Sequence, residues 1–180
     1  MQYFFIVLLL GLSGCMGIPD GIEPIQGFEV NRYLGKWYEI ARLDHTFERG
    51  LQRVTADYSM RQDGGIKVIN RGFDEKSHTW DEAEGKAYFV KDVKAGHLKV
   101  SFFGPFYASY IIFGLGNDYE YSLVTSSNRS YLWLLSRTPV IDETLKSDLT
   151  KRMADLGFET QSLIFVEQPS EPNMDNKYGG

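Results

Sequence analysis

Between Lys36 and Arg137 the sequence breaks into eight strand-like runs joined mostly by short turns. They are Lys36–Leu43, Val54–Met60, Ile66–Phe73, Trp80–Val90, His97–Phe103, Ser109–Leu115, Tyr119–Thr125 and Tyr131–Arg137. Asp63-Gly64-Gly65 is a strong hairpin signal. Val54, Ala56, Tyr58 and Met60 alternate with Thr55, Asp57 and Ser59, the period of a half-buried strand. Aromatic residues reach 14% and favour strands over helices. Eight successive strands with short turns predict an all-β fold, an eight-stranded up-and-down antiparallel β-barrel. A two-sheet sandwich is the competing arrangement. A barrel of that size has room for one small ligand.

After Thr138-Pro139 the period changes. Leu145, Leu149, Met153 and Leu156 recur every three to four residues, which predicts one C-terminal amphipathic helix. Asp142 is its expected N-cap and Gly157 its stop. Leu163–Val166 reads as a short last strand and 169–180 as a loose tail.

Trp37 stands just after Gly35, where the first strand begins. A large indole there can plug one end of a small barrel if another residue covers its outer face. Arg137, at the end of the eighth run, suits that place, because a guanidinium stacks well on an indole. An ordinary core tryptophan is the plainer alternative.

The N-terminus is a targeting segment. Tyr3–Leu12 is apolar but shorter than the about 20 residues a membrane helix needs. Leu12-Ser13-Gly14-Cys15 follows and resembles the lipobox of bacterial lipoproteins. That resemblance implies cleavage before Cys15, a diacylglyceryl thioether on its sulfur and an acylated, palmitate-type, new N-terminus. More than one acyl chain gives stable anchoring. Met16, in place of an aspartate, implies sorting to the outer membrane, facing the periplasm. Met1-Gln2-Tyr3 lacks the basic residue usual in such signals. A plain secretory signal is the other reading. The expected division is a signal peptide at 1–14, a lipidated tether at 15–27, the barrel at 28–168 and the tail at 169–180.

Net charge is −5 and no long basic run occurs, which argues against a nucleic-acid partner. Cys15 is the only cysteine, so the chain can form no internal disulfide and no cysteine-based metal site. His45, His78 and His97 have no metal-site spacing, and no G-x-S-x-G occurs. The sequence therefore points to no catalytic residues, metal or cofactor, and a ligand binder is one of three readings left open. A structural envelope lipoprotein without ligand, or a lipid-ester hydrolase, are the alternatives.

Gly35-Lys36-Trp37-Tyr38, Asn117-Asp118-Tyr119-Glu120-Tyr121 and Leu135-Ser136-Arg137-Thr138-Pro139 resemble the three ordered motifs of the lipocalins. Tyr33–Arg42, Phe47–Leu51 and Lys99–Tyr107 are similar to the bacterial outer-membrane lipocalins, relatives of apolipoprotein D. The resemblance implies a calyx with the helix packed outside, Trp37 at the closed end and Arg137 across it. It also implies a hydrophobic ligand (a fatty acid, phospholipid or lysophospholipid) and, for some members, a homodimer.

In such a barrel alternate residues face the lumen. Parity with Trp37 and Arg137 directs Val54, Ala56, Tyr58, Val68, Asn70, Val100, Phe102, Ile111, Phe113, Tyr131 and Trp133 inward. Glu39 shares Trp37's parity, and Glu39 with Asn70 is expected to form a polar patch low in the cup. Phe47, Leu51, Phe106 and Tyr107 would form an apolar rim, with Arg49 and Arg53 near an acidic head group.

Overall fold

The computed structural model describes residues 17–169. Eight strands form one closed antiparallel barrel: β1 (Gly35–Arg42), β2 (Leu51–Met60), β3 (Ile66–Asp74), β4 (Thr79–Phe89), β5 (His97–Ser101), β6 (Ala108–Leu115), β7 (Tyr121–Thr125) and β8 (Leu132–Ser136). Each pairs with the next, and β1 pairs with both β2 and β8, which closes the ring and excludes the sandwich. A two-residue β9 (Ile164–Phe165) adds to the outer end of β1. Boundaries differ from expectation by a few residues. The seventh strand starts at Tyr121, because Tyr119 takes φ 59 in the turn before it.

Strand directions alternate, so the connections 43–50, 75–78, 102–107 and 126–131 share one end, the mouth. The other end is closed. There a short helix α1 (Val30–Tyr33) precedes Gly35, whose φ of +88 turns the chain into β1. Trp37 is fully buried and its indole N–H donates to the Tyr33 carbonyl at 2.8 Å. The Arg137 guanidinium lies 3.9 Å from the Trp37 ring centroid and donates to the carbonyls of Lys36 (2.9 Å) and Arg32 (2.6 Å). These bonds fix Arg137 across the floor while its charge faces the indole.

Helix α2 (Glu143–Asp155) packs outside the barrel. The Asp142 carboxylate accepts from the Leu145 N–H at 3.0 Å, and Gly157 ends the helix at φ +82. Its buried Leu149 and Met153 meet Ile40, Ala41, Leu123, Leu132 and Leu134. Ile111 and Phe113 belong to the same outer layer, and Phe113 stacks on Phe158 at 5.3 Å. This corrects the inward placement of Ile111 and Phe113: Tyr110 and Ile112 face the lumen instead. The helix covers the outer face of β6, so that strand is apolar on both faces and its parity is hidden.

Residues 17–27, read as a tether, lie along the barrel wall. Ile22 is buried, the Ile25 N–H donates to the Ile112 carbonyl at 2.9 Å, and the Phe28 N–H donates to the Lys94 carbonyl at 2.8 Å. The signal segment, Cys15 and tail residues 170–180 lie outside the described residues.

Candidate functional site: the barrel cup

The lumen has an aromatic, hydroxyl-bearing floor. Tyr33 OH lies 3.0 Å from Ser122 Oγ and 2.8 Å from Tyr110 OH, which lies 2.8 Å from Tyr58 OH. Burial pushes the Tyr33 phenol up to about 12 and raises Tyr58 and Tyr110 well above the ordinary range. The phenols stay neutral and satisfy one another within the buried floor.

Ala56, Val68, Val100, Phe102 and Trp133 join Trp37 in the inner cluster, as parity predicts, with Ile112, Val124 and Leu135. Ala56 sits opposite Trp37 and Asn70. A Cβ on Gly85 would come within 2.8 Å of Phe102, and one on Gly72 within 2.9 Å of Leu51. Glycine at those two positions lets neighbouring side chains lie against bare backbone. Asn70 is half-buried and its Oδ1 has no partner. The expected Glu39–Asn70 patch is not formed.

Glu39 has other partners. Between Glu39 and Ala41 the β1–β8 register slips. The bulge sends Ile40 and Ala41 to the outer layer and turns Arg42 inward. Arg42 is 1% exposed and Glu39 3%, and their Nη1 and Oε1 are 2.6 Å apart. Arg42 also donates to the carbonyls of Glu48 (2.8 Å) and Leu51 (3.0 Å), which ties the 43–50 loop down over the cup. Glu48 Oε2 accepts from the Trp133 indole at 3.0 Å. His45 Nε2 lies 2.9 Å from the same oxygen, without hydrogen-bond geometry. His45 stacks on Phe47 at 4.0 Å, and Tyr131 on Trp133 at 6.0 Å. Sequence reasoning missed Arg42, His45 and Glu48. Only the bulge brings residues three apart on one strand together, and a polar loop reads as surface.

Arg42 thus pairs with the buried Glu39 carboxyl, while the Glu48 carboxylate nearby takes Trp133. Burial first, and the Glu48 carboxylate second, hold the Glu39 carboxyl well above the ordinary range, against the pull of Arg42. A raised pKa means that the folded state binds this proton more tightly than the unfolded chain. Its stabilising contribution is complete below the unfolded pKa of about 4.3 and is lost as pH rises through the folded value. Glu39→Gln keeps the shape and removes the titration. Urea unfolding across about pH 4 to 8 is expected to show a shallower fall in stability for the variant than for the wild type.

At the mouth, Phe47 and Phe106 are exposed, while Leu51 packs beside Gly72 and Tyr107 turns toward Tyr88. Arg49 is held by Asp44, with Nη2–Oδ2 at 2.6 Å, and Arg53 lies 4.8 Å over the Phe73 ring. Among the described residues no group of three His, Cys, Asp or Glu could hold a metal ion. A groove of about 450 Å³ lies outside the barrel, between Ile22 and α2, and Phe113 lines it.

The model of a lipocalin-like domain matches residues 28–168. The chain is 52% identical over 166 residues to the outer membrane lipoprotein Blc of Vibrio cholerae, covering 92% of this chain and 97% of that one. It is 48% identical over 151 residues to the protein of the same name from Escherichia coli K12, covering 84% and 85%. Insecticyanin from the tobacco hornworm Manduca sexta superposes with a TM-score of 0.68 over 86% of this chain and 88% of that one. Its identity is 18%, a likeness of fold alone.

Proposed function

Because the chain belongs to the lipocalin family, we propose that it is a lipid-anchored binding protein of the outer membrane that holds a fatty acid or a lysophospholipid in the cup. The carrying observation is a closed barrel with a buried, aromatic floor and the small wall residues Ala56 and Ala87 beneath a mouth lined by aromatic rings. Burying an alkyl chain there is worth about 0.8 kcal/mol per CH₂, so an acyl tail binds without any reacting group. Leu12-Ser13-Gly14-Cys15 and the names of the relatives, outer membrane lipoproteins, support an anchor on Cys15 and a periplasm-facing domain.

A structural role without ligand is the second reading. It draws on Phe102 lying against Gly85 and on the aromatic stack over the mouth, both of which occupy space a tail would use.

Native mass spectrometry with lipid extraction separates the two, on the domain from Met16 purified without detergent. A retained fatty acid or lysophospholipid is expected. Ala56→Trp, which fills the cup above Trp37, is expected to cut retention at least about tenfold, the equivalent of 1.4 kcal/mol. A bare mass that stays unchanged after incubation with either lipid would establish the structural role.

A further inference from the structure

The barrel wall has a gap between β1 and β2. Their ladder runs from Gly35–Tyr58 to Tyr38–Thr55 and stops there, although β1 continues to Arg42 and β2 begins at Leu51. The upper edge of β1 bonds instead to a C-terminal strap, residues 164–168. Ala41 pairs with Phe165 and Arg42 with Ile164, and the Val166 N–H donates to the Ile40 carbonyl at 2.9 Å. The strap also holds β2. The Arg53 N–H donates to the Glu167 carbonyl at 2.9 Å, and the Glu167 N–H donates to Gln52 Oε1 at 2.7 Å. Gln168 Nε2 donates to the carbonyls of Glu39 and Val54, both at 2.8 Å, and so staples the two strands across the gap. A segment inserted between two strands sets them about 10 Å apart, twice the usual spacing.

The strap is lightly held. Its Val166 is buried, while Phe165 and Glu167 are exposed. Arg53, which it bonds, takes φ 54, a left-handed backbone that strains a residue with a Cβ. A segment with few buried apolar contacts opens more readily than the core ladder. Polar capacity is also left over at the gap. Among the described residues, Arg42 Nε, on a side chain 1% exposed, and Gln168 Oε1 are buried without a partner. Both residues bond Glu39, Arg42 through its carboxyl and Gln168 through its carbonyl, so a free donor and a free acceptor flank one residue. Buried polar atoms without a partner call for one. The mouth, by contrast, is capped by His45, stacked on Phe47 at 4.0 Å and 5.2 Å from Trp133.

We propose that the gap is a lateral port. The strap lifts, the acyl chain of an amphiphile passes between β1 and β2 into the cup, and the strap closes with the head group against Arg42 Nε and Gln168 Oε1. The proposal rests on the reading of the cup as a lipid site. A chain that enters this way never parts the aromatic cap.

The test uses the mature lipidated chain in vesicles of phosphatidylethanolamine and phosphatidylglycerol. The probe is a lysophosphatidylethanolamine with a dansyl group on its acyl chain. Energy transfer from tryptophan reports its entry, counted as the part of the signal that excess unlabelled lipid removes. Ala41→Cys with Phe165→Cys joins directly opposed residues, at a separation a disulfide spans, and ties the strap to β1. Entry is expected to slow at least about tenfold in the oxidised protein and to recover when the same sample is reduced. Gln168→Ala removes the staple and is expected to speed entry at least about fivefold, the scale of one lost hydrogen bond. It decides the matter alone if the double variant does not fold or oxidise. A full signal that arrives at one rate before and after reduction, or that Gln168→Ala leaves unchanged in rate, overturns the port and keeps the ligand reading. No transfer in the wild type refutes the ligand reading and the port with it.

Discussion

Arg42→Met lowers the free energy of unfolding by about 3–5 kcal/mol near neutral pH, measured by urea denaturation. Arg42 is the guanidinium on the buried Glu39 carboxyl, and it also satisfies the backbone carbonyls of Glu48 and Leu51. Methionine fills the space but leaves those groups without a partner, and an uncompensated buried carboxylate is the costly outcome. The loss depends on pH. Without the cation the Glu39 carboxyl, already held above its ordinary range by burial, must take up a proton to stay buried, so its folded pKa lies further above the unfolded value of about 4.3. Stability is then best preserved below that value and declines as pH rises. The deficit of Arg42→Met relative to the wild type is therefore expected to widen from acid to neutral pH. Adding Glu39→Gln recovers part of it, because the stranded Glu39 charge is gone. A deficit that is flat across pH would show that Arg42 acts through packing alone.

Trp37→Ala is expected to cost a similar amount, about 3–5 kcal/mol by thermal or urea unfolding. The indole is fully buried, stacks near Tyr33 at 4.8 Å, and donates to its carbonyl. Removing it opens a cavity at the floor and strips the aromatic face from Arg137. The change also predicts an altered cup: water enters under Tyr33, Tyr58 and Tyr110, and their hydroxyl chain loses its buried floor. Arg137→Lys should cost less, about 1–2 kcal/mol, since a charge above the indole survives while the fork to the Lys36 and Arg32 carbonyls is lost. If the lysine variant proved as damaging as Trp37→Ala, the bonds of Arg137 rather than the ring would hold the floor.

The two sites differ in how far the chain announces them. Trp37 and Arg137 lie at opposite ends of the barrel sequence, yet each is marked locally: a tryptophan after a positive-φ glycine, and an arginine closing the last strand. The helix was equally legible, since Asp142 and Gly157 act through backbone geometry within one turn. The charged cluster was not. Parity places Glu39 inward and pairs it with Asn70 two strands away, whereas Arg42 reaches it from the same strand. On a regular strand residues three apart face opposite ways.

The sequence by itself determined the number of strands, their antiparallel succession and the C-terminal helix, whereas the floor pair was set by the family resemblance. The strands and the helix rest on periodicity, turn chemistry and caps, which act over a few residues. The tertiary structure decided which faces of β1 and β6 look inward. A bulge in β1 and the cover of α2 over β6 reset the parity, and both depend on pairing and packing between segments distant in the chain. It also decided that residues 17–27 run along the barrel wall rather than hang free, because the partners that hold them, Ser109, Arg129, Ile112 and Lys94, come together only when the barrel closes.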